Sequence, residues 1–219
     1  MTEVKVLKNI MDANLQSADR NRARLSERSI LTINIMASPG AGKTSVILGT
    51  IERLAKEARI GVIEGDIAST VDADKVAAKN IPVVQINTGG GCHLDANQIA
   101  SALDNLPLDR LDLLFIENVG NLVCPAEFRL GEHKRVVIAS TAEGDDKPYK
   151  YPMMFTETDA IIINKTDLMP YLDFKATEFK KVVKGLNPQV AFFELSAKTG
   201  EGFDAWINWL KAELKKMGK

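Results

Sequence analysis

The sequence predicts an α/β fold in which a mostly parallel central sheet carries helices on both faces. From Ile30 onward, short apolar runs typical of buried strands alternate with amphipathic runs typical of helices. Continuous apolar strands alternating with helices indicate a parallel sheet that is covered on both sides. Polar segments follow several of these strands, where such sheets bind ligands. The predicted strands cover residues 30–36, 59–64, 82–86, 111–116, 135–139, 160–163 and 190–195.

The length and composition predict one globular unit preceded by a helical arm. The chain has 219 residues, of which 45% are hydrophobic, so it can bury a sizeable core. Residues 1–28 form the predicted arm and residues 29–219 the main domain. The arm is interpreted either as a helix packed on the domain or as a partner-binding element. Its residues at helical spacing are Val4, Leu7, Ile10, Met11, Asn14, Leu15 and Ala18.

Charge and hydropathy exclude some partner classes. The formal net charge is −1 and there is no long basic run, so neither nucleic acid nor an anionic membrane is predicted as a partner. The apolar runs are shorter than a membrane span, and no secretory signal is recognised. These observations favour a cytoplasmic location.

Residues 37–44, Ala-Ser-Pro-Gly-Ala-Gly-Lys-Thr, join a predicted strand to a predicted helix at 45–58. This context is typical of a phosphate loop, whose backbone N–H groups surround phosphate oxygens at a helix start. Lys43 would reach the β- and γ-phosphates, and the Thr44 hydroxyl would bind Mg²⁺. The full pattern has glycine where this chain has Ala37. The motif predicts a P-loop NTPase fold with nucleotide contacts from Gly40, Ala41, Gly42, Lys43, Thr44 and Ser45.

A second motif, Asn-Lys-Thr-Asp at residues 164–167, has the groups needed to select guanine. The Asp167 carboxylate can accept hydrogen bonds from the ring N–H and the exocyclic amine, which adenine does not offer in that arrangement. Asn164 would meet the acceptor edge of the base, and the alkyl stem of Lys165 would cover its face. A loop at residues 196–198 follows the last predicted strand and completes the predicted base site with Ser196, Ala197 and Lys198.

The two cysteines of the chain, Cys92 and Cys124, each follow a predicted strand, and His93 is adjacent to the first. Two thiolates and one imidazole suit Zn²⁺ or Ni²⁺. A disulfide is disfavoured in a reducing compartment. The alternative is that the cysteines are small core residues. His133 precedes a strand, so we expect it at the opposite edge of the sheet and exclude it as a ligand.

A tetrahedral site needs a fourth ligand beyond these three. Water, a backbone group or a residue of a second subunit would supply it. Metal binding and dimerisation are therefore expected to be linked.

Three segments of the chain, residues 89–95, 115–125 and 143–148, closely resemble the HypB family, GTPases that help insert nickel into [NiFe]-hydrogenase. The resemblance covers about residues 30 to 210 and rests on Glu-Asn-Val-Gly-Asn-Leu-Val-Cys-Pro at 117–125. It implies a nickel metallochaperone of the SIMIBI class, whose GTP-dependent homodimer creates a metal site at the interface. A HypA-type nickel-binding partner and the hydrogenase large subunit are the implied partners.

The resemblance also suggests roles in hydrolysis. Glu117 occupies a strand end and would hold Mg²⁺ with Thr44, while Gly120 would donate a backbone N–H to the γ-phosphate. Residues 64–74 resemble a first switch, with Asp66 and Asp72 as magnesium candidates; Asp72 is alternatively a helix cap. The predicted catalytic residues are Lys43, Asp72 and Glu117. No arginine finger is recognised, so slow intrinsic GTP turnover is expected.

Two alternatives remain at this stage. One is a urease-type nickel accessory GTPase, whose Cys-Pro-His motif differs from Cys92-His93 here. The other is a nucleotide-gated protein-binding switch in which metal binding is incidental.

Overall fold

The structure, a computed structural model, describes residues 10–67 and 71–219. Within these residues one seven-stranded sheet has the order β3-β2-β4-β1-β5-β6-β7, and every neighbouring pair is parallel. The predicted α/β P-loop fold is confirmed. The strands are β1 (Leu31–Ala37), β2 (Ile60–Asp66), β3 (Val83–Asn87), β4 (Leu113–Glu117), β5 (Lys134–Ser140), β6 (Ala160–Asn164) and β7 (Ala191–Glu194).

Helices connect the strands and cover both faces of the sheet. The predicted helix at 45–58 is α2, which begins two residues earlier and ends at Leu54. The helices are α1 (Ile10–Ser26), α2 (Lys43–Leu54), α3 (Val71–Ala77), α4 (Ala96–Leu103), α5 (Cys124–Glu127), α6 (Lys147–Lys150), α7 (Pro152–Thr156), α8 (Ala176–Leu186) and α9 (Phe203–Lys216).

The core divides between the two faces. On one face α2 and α9 pack on the central strands, and the fully buried Trp206 donates its indole N–H to Thr50 Oγ1 at 2.9 Å. On the other face, one apolar cluster joins α4 to β2 and β4, and another joins α7 and α8 to β5 and β6. The strands are buried on both sides, as parallel sheets require, so the carboxyl edge is left to bind ligands.

Helix α1 packs on the domain through polar side chains as well as the buried Ala18 and Leu25. Asn14 is 6% exposed; it donates to the Arg129 carbonyl and accepts from Ala96 N, both at 2.8 Å. Asn21 donates to the Ala96 carbonyl at 2.7 Å. The prediction that Leu15 lies on the apolar face of the arm is wrong, because this residue is 50% exposed. Helix α1 thus holds the first turn of α4, while Val4 and Leu7 lie outside the described residues.

In the described part of the chain, no helix has the length and apolar character needed to cross a lipid bilayer.

Candidate nucleotide and metal sites

The phosphate loop turns between β1 and α2 through two glycines with positive φ. Gly40 has φ +74° and Gly42 has φ +99°, the left-handed region that favours glycine. Ala37 replaces the first glycine of the full pattern, but it is the last residue of β1 and is fully buried in the sheet. The substitution therefore lies in the strand, where no positive φ is needed, and the turn itself keeps its glycines.

Two cavities flank the loop at the carboxyl edge of the sheet. The first, of about 410 Å³, brings together the residues predicted to bind the base. The second, of about 230 Å³, brings together those predicted for phosphate and Mg²⁺. The first is lined by residues that include Gly42, Ser45, Asn164, Lys165, Asp167, Ala197 and Lys198. The second is lined by residues that include Gly40, Lys43, Glu64, Asp66, Asp72, Glu117 and Gly120.

Asn164 ties the loops of the base cavity together. Its side-chain amide donates to the Ala41 carbonyl at 2.9 Å, and its Oδ1 accepts from Ala197 N at 3.1 Å. The residue is 1% exposed. Lys165, with φ +62°, donates from Nζ to the Gly40 carbonyl at 2.7 Å. Asn164 therefore has a positioning role that the sequence motif alone did not reveal, while its contact with the base stays a prediction.

Asp167, the residue predicted to recognise the base, is held in place by Ser196. Its Oδ1 accepts from Ser196 Oγ at 2.6 Å, and the Ser196 hydroxyl also accepts from Thr199 N at 3.2 Å. A carboxylate fixed in this way retains lone pairs for the two N–H groups on one edge of guanine. The third predicted element, residues 196–198, thus orients Asp167 as well as lining the cavity.

The phosphate cavity contains a buried pair of carboxylates. Thr44 Oγ1 donates to Glu117 Oε1 at 2.9 Å, and Lys43 Nζ is 4.0 Å from the same oxygen. Glu64 lies opposite Glu117 in the β2–β4 register, and the two share a hydrogen bond. Burial and the Glu117 charge raise the pKa of Glu64, and burial raises the pKa of Glu117, so the pair shares a proton when no cation is bound.

This pair has the properties of a cation site. Glu64 Oε1 and Glu117 Oε2 are buried and have no hydrogen-bond partner. Buried acceptors without a donor are costly unless a ligand satisfies them, and carboxylate oxygens are hard ligands suited to Mg²⁺. With Thr44 alongside, the residues fit a magnesium ion. Sequence reasoning missed Glu64, because only the strand register places it beside Glu117.

The other two magnesium candidates line the same cavity. Asp66 is the last residue of β2. Asp72 is the second residue of α3 and pairs with Lys75 at 2.7 Å, so it lies in the first turn rather than at the helix cap. Their roles remain predictions. Residues 68–70 of the predicted switch lie outside the described residues.

The predicted metal ligands come together as a compact site. Cys92 Sγ is 2.9 Å from Cys124 Sγ and 3.5 Å from His93 Nδ1, and the three ligand atoms lie within 4.8 Å of one another. Both cysteines are free thiols, and Cys92 is exposed, so the alternative of two core cysteines is wrong. His133 lies elsewhere, with its ring between Ser26 Oγ and Thr32 N, in agreement with its exclusion.

The protonation states of the site determine which protons a bound metal would displace. The ring of His93 packs beside that of Phe128, with 3.9 Å between the ring centroids. Burial lowers the pKa of His93, so its imidazole is neutral. The hydrogen bond to Cys124 raises the pKa of Cys92. A metal that binds these thiolates must therefore displace thiol protons.

One short segment connects the two sites. It starts at Glu117 and ends at Cys124. Gly120 lies against the phosphate loop, where a Cβ would be 3.0 Å from Pro39 N and Cα. Asn121 donates its backbone N–H to the Ala37 carbonyl at 2.9 Å.

The Asn121 side chain joins the two halves of the thiol site. Its amide donates to the Cys92 carbonyl at 3.2 Å, and its Oδ1 accepts from Val123 N at 2.9 Å. The backbone that contacts the phosphate loop is therefore bonded directly to the cysteine loops.

The phosphate loop, the base cavity and the paired carboxylates define a P-loop nucleotide-binding protein with a thiol site beside its phosphate cavity. Residues 31–194 match the family described as CobW/HypB/UreG, nucleotide-binding domain. Hydrogenase maturation factor HypB of Escherichia coli is 46% identical over 213 residues, which cover 97% of this chain and 73% of the relative. A probable HypB of Methanocaldococcus jannaschii is 41% identical over 97% of this chain and 96% of its own length. The chain belongs to the HypB family.

Solved structures agree with this assignment. HypB from Helicobacter pylori in complex with nickel has a TM-score of 0.89 and 36% identity, covering 93% of this chain and 96% of that chain. HypB from Archaeoglobus fulgidus has a TM-score of 0.87 and 41% identity, covering 93% of this chain and 99% of that chain. FlhF complexed with GTP and Mg²⁺, at TM-score 0.55 and 16% identity over 79% of this chain and 72% of that chain, shares the fold alone.

Proposed function

We propose that this protein is a GTP-hydrolysing metallochaperone that binds Ni²⁺ or Zn²⁺ at Cys92, His93 and Cys124. It supports nickel insertion into [NiFe]-hydrogenase in the cytoplasm. It forms a homodimer when GTP is bound and works with a HypA-type nickel-binding partner and the hydrogenase large subunit. The nickel-bound HypB relative supports the metal assignment.

The observation that carries this proposal is the continuous segment between Glu117 and Cys124. Gly120 lines the second cavity and is packed on Pro39, and its backbone N–H would contact a γ-phosphate bound there. Asn121 continues the segment to the loops of both cysteines. Hydrolysis would remove the phosphate contact and relax this segment, which couples the nucleotide state to metal affinity.

Four residues divide the work at the phosphates. Lys43 places a cation against the β- and γ-phosphates, and Thr44 and Glu117 supply oxygen ligands. Mg²⁺ held by these ligands would neutralise charge on the phosphate oxygens. Glu117 stays beside Lys43, which holds the carboxylate in place. Asp72, on the wall of the same cavity, orients the attacking water.

Slow intrinsic turnover follows from the charges around this cavity. Among the described residues that line it, Lys43 is the one cation. Stabilising the transferred phosphoryl group to the full extent usually requires a further positive group such as an arginine finger, which is worth about 10³- to 10⁵-fold in rate. A partner or the second subunit would supply it.

The incomplete ligand set at the thiol site gives dimerisation a chemical reason. Three side chains leave one tetrahedral position open, and a second copy can fill it. Val123, which precedes Cys124, is 54% exposed and offers apolar contact area beside the site.

Nickel supply to urease is a second candidate. It is favoured by a Helicobacter pylori relative named hydrogenase/urease maturation factor HypB, which is 37% identical over 214 residues. A protein-binding switch with incidental metal is the third reading, and the same experiment addresses it.

The test compares the wild type with the Cys92→Ala, Cys124→Ala double variant. Ni²⁺ and Zn²⁺ binding, GTP hydrolysis and native mass are measured with GTPγS or with GDP. We expect the wild type to bind metal and to dimerise with GTPγS, and the variant to hydrolyse GTP while its metal binding is lost. Equal metal binding by both proteins would show that the cysteines are not the metal ligands. A wild type that hydrolyses GTP but neither binds metal nor dimerises would contradict the metallochaperone function and favour a GTPase switch.

A further inference from the structure

A chain of buried polar side chains crosses the sheet beneath the thiol site. Asn118, Asn34, Glu132 and Arg135 are each at most 6% exposed. Asn118 Nδ2 donates to Asn34 Oδ1 at 3.2 Å, and Asn34 Nδ2 donates to Glu132 Oε1 at 3.4 Å. The same Glu132 oxygen is 3.4 Å from Arg135 Nε. Asn34 and Arg135 are direct partners in the β1–β5 register, so the chain is continuous from the end of β4 to β5.

One end of this polar chain holds the loop that carries Cys92 and His93. Asn118 Oδ1 accepts a hydrogen bond from Leu94 N at 3.2 Å, and Leu94 directly follows His93. Leu94 is itself fully buried against the apolar cluster of β2 and β4. The position of this cysteine loop therefore depends on the orientation of the Asn118 amide.

The other end holds the helix that begins at Cys124. Arg135 Nη2 donates to the Pro125 carbonyl at 2.7 Å and to the Ala126 carbonyl at 2.9 Å. The four-residue helix α5 is too short to be stable by its own hydrogen bonds. The planar guanidinium contacts two of its carbonyls and the Glu132 carboxylate at once, which a lysine ammonium cannot reproduce in the same geometry.

Apolar side chains would fill this space at lower free-energy cost, because buried amides and ion pairs are stabilising only when their geometry is satisfied. Such a chain restrains the elements that it joins, because each contact requires a particular geometry. We infer that the Asn118–Asn34–Glu132–Arg135 chain fixes the two cysteine loops relative to each other and thereby sets the metal affinity of the site. Asn34 and Arg135 are positioning residues for the metal, although neither is a ligand. This inference rests on the proposed function of the thiol site.

The test uses Asn34→Ala, which removes the middle of the chain and leaves all three ligands. Removing a residue that orients metal ligands typically weakens affinity by about 10- to 100-fold, and we expect this loss in the dissociation constant for Ni²⁺. The thiolate-to-nickel charge-transfer absorption should change with it. The matched control is Thr50→Ala, which truncates a buried polar residue bonded to Trp206 on the opposite face. The control should lose stability but keep its nickel affinity within about twofold.

Arg135→Lys is the second variant, and it tests the same inference if Asn34→Ala does not fold. It keeps the charge beside Glu132, and we expect weakened nickel binding with unchanged affinity for a fluorescent GDP analogue. If folded variants lose thermal stability as Thr50→Ala does while nickel affinity and absorption match the wild type, the inference is overturned and the chain only stabilises the fold. If the wild type binds no nickel through its cysteines, the proposed function fails and the inference falls with it.

Discussion

Gly42 and Gly40 offer a matched pair of substitutions that tests how the phosphate loop is tied to the base site. Both have positive φ, so alanine is strained at either position. At Gly40 an added Cβ meets nothing within 4 Å, whereas at Gly42 it would lie 2.4 Å from Asn164 Nδ2. Asn164 is buried and bonded to Ala41 and Ala197, so a Cβ that displaces its side chain would break both hydrogen bonds.

The expected magnitudes follow from these contacts. The left-handed backbone costs an alanine about 1–2 kcal/mol at either site. At Gly42, displacement of Asn164 also breaks two hydrogen bonds, each with a net worth of about 1 kcal/mol. We expect Gly40→Ala to lower the free energy of unfolding by about 1–2 kcal/mol and Gly42→Ala by about 3–4 kcal/mol.

Urea denaturation of the nucleotide-free protein measures this difference, and competition of GDP with ADP measures base selectivity. We expect Gly42→Ala to lose selectivity for guanine because Asn164 no longer holds the 196–198 loop, while Gly40→Ala retains it. Equal losses of stability in the two variants, with equal selectivity, would refute the assigned role of Asn164.

Three further predictions concern single charges. Asp167→Asn should lower GTP affinity about 100-fold and favour xanthosine triphosphate, since an amide donates where the carboxylate accepts; competition binding measures it. Glu117→Gln should reduce the dependence of nucleotide affinity on Mg²⁺ by about tenfold, yet raise stability in magnesium-free denaturation, because burial raises the pKa of Glu117 and disfavours its charged form. Burial lowers the pKa of His133 to about 4, while the unfolded imidazole keeps its ordinary pKa, so the unfolded chain takes up the proton first as the pH falls. Between pH 7 and pH 5 the free energy of unfolding of the wild type should therefore fall by about 1 kcal/mol more than that of His133→Gln, after allowance for partial exposure. Urea denaturation at the two pH values measures the difference, and an equal fall in both proteins would contradict the lowered pKa.

The strands and the ligand edge could be predicted because their signals are local. Each buried strand is a continuous apolar run, and the motifs follow the strands in sequence, so parallel topology places them together. The residues predicted to bind nucleotide and metal accordingly meet at one edge. Predicting that Cys92 and Cys124 lie close together required only the assumption that the strands before them end at this same edge.

The remaining features depend on register, which no local pattern specifies. Glu64 becomes a cation ligand candidate because β2 pairs with β4 so that it faces Glu117. Asn34 lies in a mostly apolar strand, and its partners Asn118 and Glu132 reach it only because β1 lies between β4 and β5. The buried side of α1 is partly polar, since Asn14 pairs with Ala96 far away in sequence, and an amphipathic pattern cannot predict that pairing.

The central claim is that the nucleotide state sets metal affinity through the segment that ends at Cys124. The most direct test is the dissociation constant of Ni²⁺ measured on the wild type saturated with GTPγS and on the wild type saturated with GDP, both with Mg²⁺. The account predicts that the two constants differ by at least about tenfold, a coupling free energy of about 1.4 kcal/mol. Identical constants in the two nucleotide states would contradict it.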